Sequence, residues 1–457
     1  MTQTIKCISP IDGSLYAERV CLDLDAAMAA CEKAKSASAG WAATPLDERI
    51  AYVKKANDYI ANTKARMVEE LAHQMGRPVR YGGEYGGFDE RLTHMADIAE
   101  ACLRPDVIED SPTARRLIKR EPHGIVLVIA PWNYPYMTAI NTIAPALIAG
   151  NTVILKHASQ TILVGEHLGD AFRAAGLPDG VFQNLVLDHG TTSTLIAARK
   201  VDFVNFTGSV AGGKAMEVAA AGTFLPISTE LGGKDPGYVR EDADIEAAID
   251  GLIDGAMFNS GQCCCGIERI YVDEKIYPEF LEKAIALVKT SKLGNPLDPE
   301  TTIGPMANIR FANEVREQIN DAIAAGATAH IPRFDGDDDG AYLGPQILSG
   351  VSHDMRIMRD ESFGPVVGIM PVRGDDEAIT LMNDCAYGLT ASIWTKDAAA
   401  AEAIGDQLET GTVFLNRCDY LDPALCWTGC KDTGRGTGLS TLGYQALTRP
   451  KSYHLKR

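Results

Sequence analysis

The run Gly261-Gln262-Cys263-Cys264-Cys265-Gly266 sets three thiols between two glycines. A thiolate is a strong nucleophile, and flanking glycines let a substrate approach the backbone closely. Buried apolar thiols, the commoner fate of a cysteine, fit the same run. Adjacent cysteines are expected to point in divergent directions and lack Cys-x2-Cys spacing, so the run is not read as a zinc site and no metal is expected. Asn133, in Pro131-Trp132-Asn133-Tyr134-Pro135, follows an apolar stretch and precedes a helical one. Its carboxamide either donates to a developing oxyanion or holds a proline-flanked turn. Glu230, in Glu230-Leu231-Gly232-Gly233-Lys234, ends a strand-like stretch, where a carboxylate activates water or is locked in an ion pair. Phe206-Thr207-Gly208-Ser209, continued to Gly213, reads G-S-x-x-x-G after a strand. Such a turn presents backbone N–H groups to a pyrophosphate, or is an ordinary strand–helix connection; it is not the G-x-G-x-x-G fingerprint.

Two further groups carry less. Asp335-Gly336-Asp337-Asp338-Asp339-Gly340 has the opening spacing of a calcium loop, but its twelfth position is Gln346, without the bidentate Glu. It is expected to be a solvated acidic turn. Cys418, Cys426 and Cys430 have no histidine at finger spacing and are expected to be structural.

The elements around these residues alternate. Helical periodicity covers 25–39 and 46–75, the latter stopped by Gly76-Arg77-Pro78. Strand-like runs at 125–130, 152–155, 181–186, 202–206 and 226–231 are separated by helical stretches at 135–149 and 162–175 and near Thr192 and Lys214. Five strands separated by helices predict a parallel, doubly wound α/β sheet, whose ligands sit at the carboxyl ends of the strands. Helices at 245–258 and 276–289, with strands at 269–272, 366–370, 391–394 and 412–415, predict a second α/β domain beginning near Gly233. The tail, Lys451 to Lys456, alternates polar and bulky residues, as an edge strand pairing with another subunit would.

The whole chain has 457 residues, enough for two or three domains, and 46% of them are apolar against 23% charged, which excludes a disordered chain. The net charge of −18 disfavours nucleic acid and anionic membranes as partners. No apolar run approaches the ~18 residues of a membrane span, and the first residues lack a signal peptide's apolar core. The 11 cysteines are therefore read as reduced thiols of a cytoplasmic protein.

Taken together, these motifs resemble the NAD(P)-dependent aldehyde dehydrogenase superfamily. The resemblance runs from Ser9-Pro10-Ile11-Asp12-Gly13, through Trp41 and Glu48-Arg49, to the segment around Lys431. Pro131 to Pro135, Phe206 to Ser209, Glu230 to Lys234, Gly261 to Cys265 and Glu361-Ser362-Phe363-Gly364-Pro365 stand in the family's order at compatible spacing.

The resemblance implies that Cys264, two after Gln262, attacks the aldehyde carbon. The Asn133 amide and the Cys264 backbone N–H would hold the oxyanion, hydride would pass to the nicotinamide, and Glu230 would activate the water that hydrolyses the thioester. Cys263 and Cys265 would shape the pocket, with Tyr134, Tyr136 and Asn141 as its aromatic and polar walls. For the cofactor, NAD or NADP, Lys156 would contact the adenine ribose, Gly208 and Ser209 the pyrophosphate, and Gly213 would allow close helix packing beside Leu231. Trp132 would flank the nicotinamide end, and Glu361 and Phe363 would hold its ribose and buttress the ring. The implied fold is two Rossmann-like domains, a cofactor domain (1–103 and 123–232) and a catalytic domain (233–429), plus a small β oligomerisation element (104–122 and 430–457) that forms a homodimer or homotetramer.

Three departures qualify the match. Lys156-His157-Ala158-Ser159 replaces Lys-Pro-x-Glu, so Ser159 lacks the charge that repels a 2′-phosphate and NADP is expected to be tolerated. Asn141 stands where relatives acting on succinate semialdehyde carry an Arg, so poor activity on carboxylated aldehydes is expected. Trp427-Thr428-Gly429-Cys430-Lys431 replaces the usual Pro-Phe-Gly-Gly-x-Lys. A coenzyme A-acylating relative, which generally lacks the Glu, and a non-catalytic family member are the alternatives.

Overall fold

The computed structural model describes residues 3–333 and 340–457; the acidic run Asp335 to Asp339, weighed above as a calcium loop, lies outside them. The first sheet has five parallel strands in the spatial order Phe182–Asn184, Thr152–Lys156, Ile125–Ile129, Phe203–Thr207, Ile227–Glu230. Its central strand Ile125–Ile129 is buried throughout, as a strand covered on both faces must be. Val126 and Val128 face one core with the helices Leu46–Met75, Tyr85–Leu103, Pro135–Ile148 and Ile162–Ala174. Ile125, Leu127 and Ile129 face the other, with Leu24–Ala43, His189–Ala197 and Val210–Ala220. Chain order reverses about Ile125–Ile129, so a switch-point crevice opens at the carboxyl ends, where Asn133, Gly208 and Glu230 follow neighbouring strands.

The second sheet has seven strands, in the order Thr328–Ala329, Gln346–Ser349, Val366–Val372, Ile267–Asp273, Asp235–Val239, Thr390–Trp394, Thr412–Leu415. All pairs are parallel except the first. Only Leu231 to Lys234 separate the last strand of the first sheet from Asp235–Val239 in the second. The carboxyl edge of one sheet is thereby tied to the amino edge of the other, and the cysteine run enters that edge just before Ile267–Asp273, the neighbour of Asp235–Val239. A Cβ on Gly233 would collide with the Cys264 carbonyl oxygen, so glycine is what lets the two segments lie this close.

The tail strand Thr448–Lys456 is an edge strand, as its alternation predicts. Within the chain it pairs antiparallel with Ala114–Pro122, which also pairs with Asp106–Asp110. The opening hundred residues are not wholly helical: Thr4–Ile8 and Leu15–Val20 form a hairpin. Among the described residues, no helix is long and apolar enough to cross a membrane.

Candidate active site

The turn before the cysteines is held from several sides. Asn259 and Ser260 both have φ of 55°, and Gly261 follows at 69°, three left-handed residues in succession. A Cβ on Gly261 would collide with the Gly364 carbonyl. Gln262 donates through Nε2 to the Asn259 carbonyl (3.1 Å) and accepts the Ala307 N–H at Oε1 (2.8 Å). Asn133 is buried, and its Nδ2 donates to the Gln262 carbonyl at 3.3 Å. The amide thus reaches the strand of backbone that presents Cys264 and keeps a second N–H for another acceptor.

The three sulfurs converge to within 4.8 Å of one another, contrary to the divergence expected of adjacent cysteines. The reason is a turn: the Gly266 N–H donates to the Cys263 carbonyl (3.2 Å) and folds the run back on itself. Cys263 and Cys265 are buried with their sulfurs 3.5 Å apart, and both thiols donate to Oδ1 of Asp419 (3.2 and 2.9 Å). Cys264 is half-buried. Hydrogen bonds from Cys263 and then Cys265 pull the Cys264 thiol down from 9.0 to about 6, against the opposing effect of burial. The same interaction pushes Cys263 up to about 12. The two flanking thiols therefore act on Cys264 through their S–H groups.

Glu230 is 8% exposed and makes no ion pair among the described residues, which removes the alternative of a locked salt bridge. Burial pushes its carboxyl up to about 7, opposed chiefly by the Arg91 guanidinium. Such a carboxylate is poised to take a proton near neutral pH.

The cofactor side is built from strand ends and one helix start. Ser209 caps the helix Val210–Ala220, accepting the Gly212 N–H at 3.2 Å, and the Gly208 N–H donates to the Glu230 carbonyl (3.1 Å). A Cβ on Gly213 would sit 2.7 Å from both Leu231 methyls, so the helix start rests directly on Leu231. Lys156 ends a central strand and is buried, which lowers its pKa, and Ser159 opens the short turn Ser159–Thr161. Across the crevice, Glu361 accepts the Gly233 N–H at 3.0 Å, and burial raises its carboxyl to about 8. Glu268 fixes the neighbouring loop by accepting from Lys234 Nζ (2.6 Å), Ser362 N–H (2.7 Å) and Phe363 N–H (2.8 Å). Phe363 itself is held at φ of 51°. Trp132 stacks on Phe311 at 5.2 Å and meets Phe363 edge-on at 5.5 Å. A helix start cleared of side chains and an aromatic clamp opposite fit a dinucleotide.

On the substrate side Tyr134 is half-buried, its ring lies 4.7 Å from the Arg77 guanidinium, and its hydroxyl has no partner. Asn141 is buried with its Oδ1 likewise unmatched. Tyr136 is a correction to the expected pocket wall. It is fully buried in the helical core, bonded to His167 Nδ1 at 2.8 Å, because its place in the first turn of Pro135–Ile148 directs it inward. Sequence reasoning passed over Arg77, Glu84, Arg91, Phe311 and Asp419. Arg77 stood inside Gly76-Arg77-Pro78, read only as a helix stop, and the others carry no local motif.

The family model described as "Aldehyde dehydrogenase family" matches residues 1–453. An aldehyde dehydrogenase of Paenarthrobacter nicotinovorans is 35% identical over 414 residues, covering 90% of each chain. Among solved structures, the NADP complex of an NADP-dependent glyceraldehyde-3-phosphate dehydrogenase from Bacillus halodurans superposes with TM-score 0.94 at 31% identity, covering 99% of this chain and 96% of that one. An NAD-dependent aldehyde dehydrogenase from Sinorhizobium meliloti superposes with TM-score 0.95 at 30% identity, covering 99% and 92%.

Proposed function

Since the chain belongs to the aldehyde dehydrogenase family, and so oxidises aldehydes with NAD or NADP, we propose that Cys264, Asn133 and Glu230 carry that chemistry. The observation that supports this most is the meeting of a thiol of lowered pKa, an amide N–H beside it and an unpaired buried carboxylate at one crevice. The Cys264 thiolate adds to the aldehyde carbon. The free Asn133 N–H and the Cys264 backbone N–H take up the oxyanion of the resulting thiohemiacetal. The nicotinamide, when bound, supplies the hydride acceptor. As the C–H bond breaks, the carbonyl re-forms and Cys264 is left as a thioester. Glu230 removes a proton from water, which adds to the thioester, and the thiolate leaves as the acid is released.

The roles assigned to Trp132, Lys156, Ser159, Gly208, Ser209, Gly213, Leu231, Glu361 and Phe363 belong to the same proposal. Glu230 favours water over coenzyme A as acyl acceptor. The decisive experiment follows NAD(P)H at its absorbance band with added aldehyde. The Cys264→Ser variant should form none, and wild type should yield free acid without coenzyme A. Turnover in Cys264→Ser, or an absolute need for coenzyme A, would overturn the assignment.

The strands Asp106–Asp110, Ala114–Pro122 and Thr448–Lys456 are proposed to join copies of the chain into a homodimer or homotetramer. Val107 and Ile108 lie 53% and 61% exposed on this sheet's outer strand, an apolar edge that a second copy would cover. Light scattering that gives a monomer at micromolar concentration would refute this.

A further inference from the structure

Arg91, on the helix Tyr85–Leu103, is 7% exposed. Its Nε is sealed from solvent without a partner, and its guanidinium makes no hydrogen bond or ion pair to any described residue. The other deeply buried arginines are matched. Arg49 donates to the carbonyls of Ile148, Ala42 and Thr44, and Arg269 to those of Lys234, Leu381 and Met382. Arg77 bonds Glu84, Asn259 and the Asn133 carbonyl. A guanidinium left with open donors inside a protein is costly, and a chain keeps one where a ligand completes it.

The surroundings of Arg91 say which ligand. Its charged neighbours are Glu84, Cys265, Glu90 and Asp419, and it acts in turn on Glu230. The first four are engaged elsewhere. Glu84 pairs with Arg77 and accepts the Tyr136 and Met137 N–H groups, Glu90 accepts from the Tyr420 hydroxyl, and Asp419 accepts the Cys265 thiol. Glu230 is the base. The unpartnered Tyr134 hydroxyl has Cys263, Asp419 and Cys265 among its own neighbours, so it borders the same space. Opposite, Gly87 lies beside Arg91 Nη1 and abuts Met137 Sδ on the helix Pro135–Ile148, which leaves the guanidinium facing the gap between that helix and the cysteines.

We propose that Arg91, assisted by the Tyr134 hydroxyl, receives a carboxylate at the far end of the aldehyde, so that the substrates are oxo-carboxylic acids. The proposal rests on Cys264 as the nucleophile. One planar guanidinium matches one carboxylate in a two-point fork. A phosphate offers the same oxygens but a second negative charge, which the ring of acids around Arg91 repels. The expectation drawn from Asn141 looked for the cation on the helix Pro135–Ile148; the structure supplies it from Tyr85–Leu103.

The test compares kcat/KM for aldehydes of matched length ending in carboxylate, carboxamide, methyl or phosphate, in wild type, Arg91→Met, Arg91→Lys and Tyr134→Phe. Wild type should prefer carboxylate over carboxamide by about 10- to 100-fold, mostly in KM. Arg91→Met should bring that ratio to about one, with Arg91→Lys and Tyr134→Phe between. No preference in wild type, or a preference for phosphate, overturns the proposal. So does an equal loss for all four aldehydes in Arg91→Met together with a moved pH profile, which would make Arg91 a positioning residue for Glu230. If Arg91→Met does not fold, competition in wild type decides: a dicarboxylate should inhibit more strongly than its monoamide, and equal inhibition overturns the idea. If none of the four aldehydes yields NAD(P)H in wild type and Cys264 resists alkylation, the assignment of Cys264 has failed and the proposal falls with it.

Discussion

Arg77 donates through Nη2 to the carbonyl oxygen of Asn133 at 2.6 Å. The same guanidinium pairs through Nη1 with Glu84 (2.7 Å) and through Nε with Asn259 Oδ1 (3.1 Å). Glu84 in turn accepts the first N–H groups of the helix that follows Asn133. One buried ion pair therefore sets both the amide and the turn before the cysteines. Arg77→Lys should keep the charge but lose the fork, lowering kcat by about 10- to 100-fold with little change in KM. Arg77→Met, which leaves Glu84 alone, should cost about 3–5 kcal/mol of stability in denaturant unfolding. Unchanged kcat in a folded Arg77→Lys would separate this network from the oxyanion amide.

The lowered pKa of Cys264 depends on its neighbours' S–H groups. Alkylation by iodoacetamide should reach half its maximal rate well below the ordinary thiol value of 9.0. Cys263→Ala and Cys265→Ala should each move that midpoint upward, and the double variant further. An unmoved midpoint in the double variant would assign the shift to another source.

Glu230 predicts one limb of the pH profile. With its carboxyl raised to about 7, the base is depleted as pH falls below that value, and hydrolysis of the thioester should slow accordingly. Glu230→Gln should lower steady-state kcat by about 10²- to 10⁴-fold and leave a burst of NAD(P)H, with the acyl adduct seen by mass spectrometry. The same shift has a sign for stability. A carboxyl raised on folding contributes most below its unfolded value of 4.5 and loses that contribution as pH rises through 7. Glu230→Gln should therefore raise Tm at pH 8 and not at pH 4.

Ser159 offers a cofactor test. Ser159→Glu should lower kcat/KM for NADP by about tenfold or more, through KM, while NAD is retained, because a carboxylate there would face the 2′-phosphate. Equal effects on both cofactors would place Ser159 away from the ribose.

The first sheet was readable because each strand is a short apolar run bounded by helical periodicity, and Ile125–Ile129 is buried on both sides. Asp235–Val239 was not, since Pro236 and Gly237 argue locally against a central strand; it is held there by neighbours on both sides. The helix Ile309–Ala324 went unread despite its strong amphipathic pattern. At the site, Cys264, Asn133 and Glu230 stand in motifs that sequence exposes. The convergence of the three thiols depends on a turn that adjacency alone does not reveal. Arg91 and Asp419 are ordinary residues in sequence, and only long-range packing brings them beside the thiols.

The short connection from Glu230 to Asp235 bears on how this molecule can be re-engineered. Base and nucleophile come from opposite sheets, yet the chain between those sheets is too short, and too closely pressed on the Cys264 carbonyl at Gly233, to tolerate a new spacer. A chimera that exchanges one half with a relative must carry residues 230 to 266 as a single inherited block. A crossover placed inside that block would give a folded hybrid whose two reacting groups no longer share a register.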